Sequence, residues 1–314
     1  MSTASGANGI LVVDKPEGMT SHDVVDRVRR IFRTKRVGHT GTLDPDATGV
    51  LVLCLGQATR LAEYLSASAK HYRAEFAFGA RTDTMDGSGA VIETRDTSAL
   101  TQQDILEILP RYRGKILQTP PMVSARHHEG RRLYELAREG ITVEREPRPI
   151  DIMALDLLSF VPGPLASASL EITCSTGTYI RVLAEDIGRD AGTGAYMKTL
   201  RRTWVGADSA CALTLADAHS LDDLQRTADS GAADSALIPL ANALRSMPQL
   251  RLTEEGLRRL RHGQSVPRCD SAVDVGSDAP ADCLAAVLDD LGEVCAIVQC
   301  GVDSLRPVKV LAAS

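Results

Sequence analysis

The sequence predicts an α+β fold: a large mixed, mostly antiparallel sheet flanked by helices, followed by a small β-rich module. Three observations carry that expectation. Residues 71–79 (HYRAEFAFG) alternate, with Tyr72, Ala74, Phe76 and Phe78 on one side, the period of a half-buried strand. Residues 20–34 instead space Val24, Val25, Val28 and Ile31 as a helix does, behind a cap at Thr20 or Ser21, so that valines are buried and arginines shown. Strands and helices then follow one another without a regular βαβ rhythm, which points to α+β rather than α/β.

In chain order, residues 1–8 read as a disordered tail. Residues 9–15 form a short strand ended by a Pro-Gly turn. The helix follows, then a glycine-punctuated loop, an apolar strand over 50–55 and a helix over residues 58–66. Beyond the alternating strand, residues 81–89 (RTDTMDGSG) are turn-rich and lead to a strand at 90–94. Residues 101–114 open on a capping position and read as a helix. Residues 145–160 return to a strand after their prolines, and 168–192 give strand, tight turn and amphipathic helix. The Ala/Ser/Asp/Gly stretch 227–236 marks a weak boundary. After Pro248 come a helix and short strands at 283–290 and 294–300, a module of its own over 250–314.

Composition narrows the function classes. The chain has 314 residues, room for two domains, with 44% hydrophobic and 24% charged residues, ordinary for a globular protein. No apolar run reaches the roughly 18 residues of a membrane helix, and the start has neither a basic n-region nor a long apolar segment, so the expected location is the cytoplasm. Seven cysteines, none in CxxC spacing, argue against a disulfide framework and against a zinc site. Net charge is −6, yet residues 27–36 (RVRRIFRTKR) carry six bases and no acid, and 126–150 are arginine-rich. Such a face can track a phosphate backbone, although charge alone favours a solvated helix face.

The loop at 38–60 (GHTGTLDPDATGVLVLCLGQATR) invites four readings. A phosphate loop of the Walker type needs Lys and Ser/Thr after its last glycine, and Val50 and Leu51 stand there. A calcium loop needs an acid at its twelfth position, which is Leu55. Two readings survive. In the first, Gly38, Gly41 and Gly49 serve turns and Asp44 is a turn residue before Pro45. In the second, Asp44 is a catalytic carboxylate held still on a buried strand, with Arg181 available to keep it ionised.

The same loop resembles the catalytic signature of the TruB family of pseudouridine synthases. Further motifs resemble that family in order: DKPEGMTSHDVV at 14–25, KHYRAEFAFGARTDTMDGSG at 70–89, CSTGTYIRVLAEDIG at 174–188 and LRR at 200–202. The resemblance covers residues 9–245 and implies the pseudouridine synthase fold, with a PUA-like domain at 250–314. It implies isomerisation of uridine 55 in the T arm of tRNA, without cofactor or metal. The enzyme would be a cytoplasmic monomer that needs no obligatory protein partner and touches no membrane. By the same resemblance Asp44 is the catalytic aspartate and Arg181 pairs with it. Tyr72 stacks on the target base, and Tyr179 and Leu200 line the uracil pocket. His39 fills the space left by the flipped nucleotide, and Lys15 supports the loops or meets a phosphate. Residues 119–149 form an insertion that clamps the T loop through Arg126, Arg131, Arg132 and Arg138, although the acidic stretch 269–283 in the last module fits RNA poorly. Two other readings use the same scaffold: an RNA-binding or tRNA-folding protein in which chemistry is secondary, and a guide-RNA-dependent synthase, which would need protein partners.

Overall fold

The computed structural model describes residues 7–124, 127–128, 130–133, 136, 139–268 and 279–311. They fall into two compact units. The first comprises residues 1–44, 50–66 and 206–314. Its strand Gly9–Lys15 lies beside Thr48–Leu55. Ile10, Leu11, Val12 and Val13 are all fully buried, as a strand apolar on both faces must be. The short strand Val37–His39 pairs antiparallel with the same neighbour, His39 opposite Leu53. Helix Ser21–Ile31 is capped by Thr20, whose hydroxyl accepts the Asp23 amide while the Asp23 carboxylate accepts the Thr20 amide. Reciprocal capping of this kind contributes about 1 kcal/mol. The helix turns Val24, Val25, Val28 and Ile31 inward, as its spacing predicts, and packs against helix Leu221–Asp229.

The C-terminal segment of this unit builds its own five-stranded sheet, which includes Leu284–Leu288, Val294–Cys300 and Ser304–Val310. Its core gathers Leu250, Leu257, Val287, Val298 and Leu305. Helix Glu254–Arg261 lies where the apolar spacing after Pro248 predicts it.

The second unit comprises residues 45–49 and 67–205. Its strands run in the order Ala195–Gly206, Ala69–Phe78, Ser167–Cys174, Arg148–Val161, Gly114–Gln118. The last three joints of this row are antiparallel. Thr48 and Gly49 pair parallel with Arg201 and Arg202, which makes the sheet mixed. Tyr72, Ala74, Phe76 and Phe78 are all buried, and Ala168, Leu170, Ile172 and Cys174 repeat the alternation on the neighbouring strand.

Four local expectations need correction. Gly49 has a positive φ (+100°), but within a strand, and a Cβ there would lie 2.1 Å from the Arg202 carbonyl oxygen. Gly38 instead sits in a strand opposite Cys54, a long-range pairing that local turn signals cannot show. Residues 58–66 are not one helix: Gly56–Leu61 is a 3₁₀ turn and only Ala62–Ser66 is α-helical. Helix Gln102–Ile108 gives way to a 3₁₀ turn at Leu109–Tyr112, because Pro110 has no N–H to continue the ladder. The tail expected at 1–8 is packed at its end, since Ala7 is buried and the Asn8 side chain accepts the Gln57 amide. Its first six residues lie outside the described residues.

Candidate active site

The first unit carries Lys15, His39 and Asp44. Asp44 is half-buried, and its loop is anchored one residue earlier. The buried Ser21 hydroxyl donates to the Leu43 carbonyl at 3.0 Å and accepts the Leu43 amide at 2.8 Å. Thr20 takes the cap position, which leaves the neighbouring hydroxyl for this loop. Thr40 donates to the Val52 carbonyl, so the His39–Thr40 backbone is also fixed against the buried strand. His39 is half-buried at the end of its strand. Lys15 is fully buried and its ammonium donates to the Pro16 carbonyl at 2.8 Å.

On the same unit an open groove of about 630 Å³ is lined by Lys35, Arg36, Gly38, Gly56, Gln57 and Arg60 among others, with no acid in its wall. Its residue Gly38 directly precedes His39. Arg60 reaches it while donating to the Val310 carbonyl at 2.7 Å.

The second unit carries Tyr72, Tyr179, Arg181 and Leu200. Tyr72 and Leu200 are buried on neighbouring strands. Tyr179 is the N-cap of helix Ile180–Asp190 and offers no side-chain cap. The turn before it is tied down from outside. Asp151 and Ser175 exchange hydrogen bonds at 2.8 and 2.9 Å, and the Thr178 hydroxyl donates to the Ser175 carbonyl. The guanidinium of Arg181, whose side chain is 5% exposed, lies 5.9 Å from the Tyr179 ring centroid, within cation–π range.

An acid that sequence reasoning did not name stands beside this arginine. Asp86 Oδ2 is 3.8 Å from Arg181 Nη1, and its side chain is only 12% exposed. Its other carboxylate oxygen accepts from the Thr84 hydroxyl at 2.7 Å and from the Ser88 hydroxyl and amide at 2.6 and 3.1 Å. The turn that holds it needs Gly89, where a Cβ would lie 2.2 Å from the Thr84 hydroxyl. Met197 donates to the Met85 carbonyl, which joins the turn to the strand that bears Leu200. The signal was present in the RTDTMDGSG stretch, but as turn chemistry.

Two further cations are buried nearby on the strands. Burial and the Arg202 guanidinium push the Lys70 ammonium down to about 8. Burial pushes the Cys174 thiol up to about 11, so it is no nucleophile at neutral pH. Of the arginines expected to meet RNA, Arg131 is paired with Glu139. Arg126, Arg138 and the Arg132 side chain lie outside the described residues. Among the described residues, no group of three or more His, Cys, Asp or Glu could hold a metal ion, and no helix is long and apolar enough to cross a membrane.

Substituting Asp86→Asn keeps an acceptor for Ser88 and Thr84 but removes the charge facing Arg181. At 3.8 Å the pair is looser than a full buried bridge, so the expected loss is about 2 kcal/mol. Urea unfolding measures it, and an unchanged midpoint contradicts the assignment.

Comparison with known proteins places this geometry. Residues 29–180 match the model of the TruB family pseudouridylate synthase N-terminal domain, and 181–247 that of the tRNA pseudouridylate synthase B C-terminal domain. The chain is similar to tRNA pseudouridine synthase B of Symbiobacterium thermophilum, 48% identical over 260 residues, with 83% of each chain covered. It is 44% identical over 262 residues to the Haemophilus influenzae (strain Rd) protein of that name, covering 82% of this chain and 81% of the relative. In fold it resembles a chain of a Cbf5-Nop10-Gar1 complex, with TM-score 0.71, 23% identity and 98% and 84% coverage. It also resembles a chain of an H/ACA RNP bound to a substrate RNA, with TM-score 0.72, 21% identity and 98% and 86% coverage. The chain belongs to the TruB family of pseudouridylate synthases.

Proposed function

We propose that this chain converts uridine 55 of the tRNA T arm to pseudouridine, with Asp44 as the catalytic carboxylate. One observation carries the reading: the family match runs unbroken over residues 29–247, and Asp44 stands in its signature loop on a backbone held by Ser21. The reaction breaks the N1–C1′ bond, turns the uracil and joins C5 to C1′. C5 loses a proton and N1 gains one, so nothing is oxidised and no water is consumed. An ionised carboxylate can attack C1′, add to C6 or take a ribose proton, and each route needs it immobile.

Tyr72, Tyr179 and Leu200 hold the uracil in this reading, and Arg181 supplies fixed positive charge. His39 occupies the place of the extruded nucleotide, a task that suits a flat ring able to stack and hydrogen-bond. Residues 9–245 form the catalytic domain, with 119–149 as its RNA-clamping insertion, and 250–314 the PUA-like domain. The enzyme works as a cytoplasmic monomer without an obligatory protein partner. The groove bearing Lys35, Arg36 and Arg60 takes backbone phosphates, which lets an acidic protein bind RNA through a local basic face.

Carbodiimide treatment and primer extension on an unmodified tRNA transcript locate the product. A new stop reporting position 55 is expected, and its absence, or a stop elsewhere, overturns the site assignment. Charge reversal at Lys35 and Arg60 is expected to weaken tRNA binding and to flatten the salt dependence by about one unit of log–log slope for each phosphate left unneutralised. Unaltered affinity and slope remove the groove from the interface.

A further inference from the structure

Gln118 is 4% exposed at the end of the edge strand Gly114–Gln118. A polar residue there would ordinarily face water. Its carboxamide instead spans both backbone polar groups of one residue in another element. Oε1 accepts the Tyr179 amide at 2.8 Å, and Nε2 donates to the Tyr179 carbonyl at 3.1 Å. The first amides of a helix lack partners within it, and Tyr179 provides no side-chain cap of its own. Gln118, 61 residues away, satisfies one of those amides, that of Tyr179 itself.

We propose that Gln118 is a positioning residue for the uracil pocket. By fixing both polar atoms of Tyr179's backbone, it sets the direction of the Tyr179 ring and, two residues on, of the Arg181 guanidinium that lies over that ring. The Tyr179 carbonyl also accepts the Leu183 amide, so helix and strand share one anchor. Gln118 stands opposite Arg148 across the sheet, where the 119–149 segment leaves and rejoins it. This proposal rests on the reading that Tyr179 and Arg181 serve the isomerisation.

The test compares single-turnover rate, tRNA affinity and thermal stability for Gln118→Met, Tyr179→Ala and the double variant. Methionine keeps the length and loses both hydrogen bonds. The expected result is a rate lower by about 10- to 100-fold with nearly unchanged affinity, a melting temperature lowered by only a few degrees, and a double variant no slower than Tyr179→Ala. An unchanged rate overturns the proposal, as does a loss that follows affinity or stability. If the methionine variant does not fold, Gln118→Glu decides. Its carboxylate can accept the Tyr179 amide but repels the carbonyl, whereas the protonated acid can donate again. The rate of this variant relative to the unsubstituted enzyme therefore rises as pH falls, and a flat ratio overturns the proposal. Tyr179→Ala at full rate would overturn the pocket reading itself, whereas a slow Tyr179→Ala beside a normal Gln118→Met overturns only the role of Gln118.

Discussion

A guanidinium held out of water at the start of a helix is the demand around which the second unit is arranged. Arg181 is buried at the second position of helix Ile180–Asp190, where the helix dipole is positive and a cation is unwelcome by about 0.3–1 kcal/mol. Desolvation adds several kcal/mol unless opposite charge and polar contacts offset it. Asp86 provides the charge, and the 82–90 turn exists in a form that aims it. Thr84 and Ser88 hold one carboxylate oxygen, the Thr82 hydroxyl donates to the Asp86 carbonyl, and Gly89 leaves the space they need. The Tyr179 ring lies 5.9 Å from the guanidinium.

A second regularity recurs in both units. The backbone beside a side chain of the proposed site is fixed by a side chain distant in sequence. Ser21 holds both polar atoms of Leu43, next to Asp44, and Gln118 holds both polar atoms of Tyr179. Loops ordinarily move more than the elements they join. A bidentate anchor removes that freedom at a few residues, with both backbone polar groups of the anchored residue satisfied. Both anchors are themselves buried, so water does not compete for them.

Much of this was legible in the sequence where chemistry is periodic or local. The alternation from Tyr72 to Phe78 and the valine spacing of helix Ser21–Ile31 are read directly, because one buried face leaves a period of 2 or 3.6. Asp44 and Arg181 stand out from the chemistry of their loops, and Tyr72 through the family motif. What stayed hidden depends on long-range pairing. Gly38 reads as a turn former, yet its strand is defined by Cys54. Asp86 reads as one more turn aspartate, Ser21 as an alternative cap, and Gln118 carries no local signal at all. Each takes its role from a partner that no local pattern announces. Over a few residues the difference between α and 3₁₀ spacing is equally invisible, which is why residues 58–61 read as the start of a helix.

The account turns on Asp44 as the carboxylate that performs the isomerisation. It is tested most directly by tritium release from a tRNA transcript labelled at uridine C5, measured for the enzyme and for Asp44→Asn alongside tRNA affinity. The asparagine is close to isosteric and leaves the Ser21 anchor on Leu43 in place. The account predicts release by the unsubstituted enzyme, none by the variant, and affinities within about threefold of each other. Turnover retained by Asp44→Asn would contradict it.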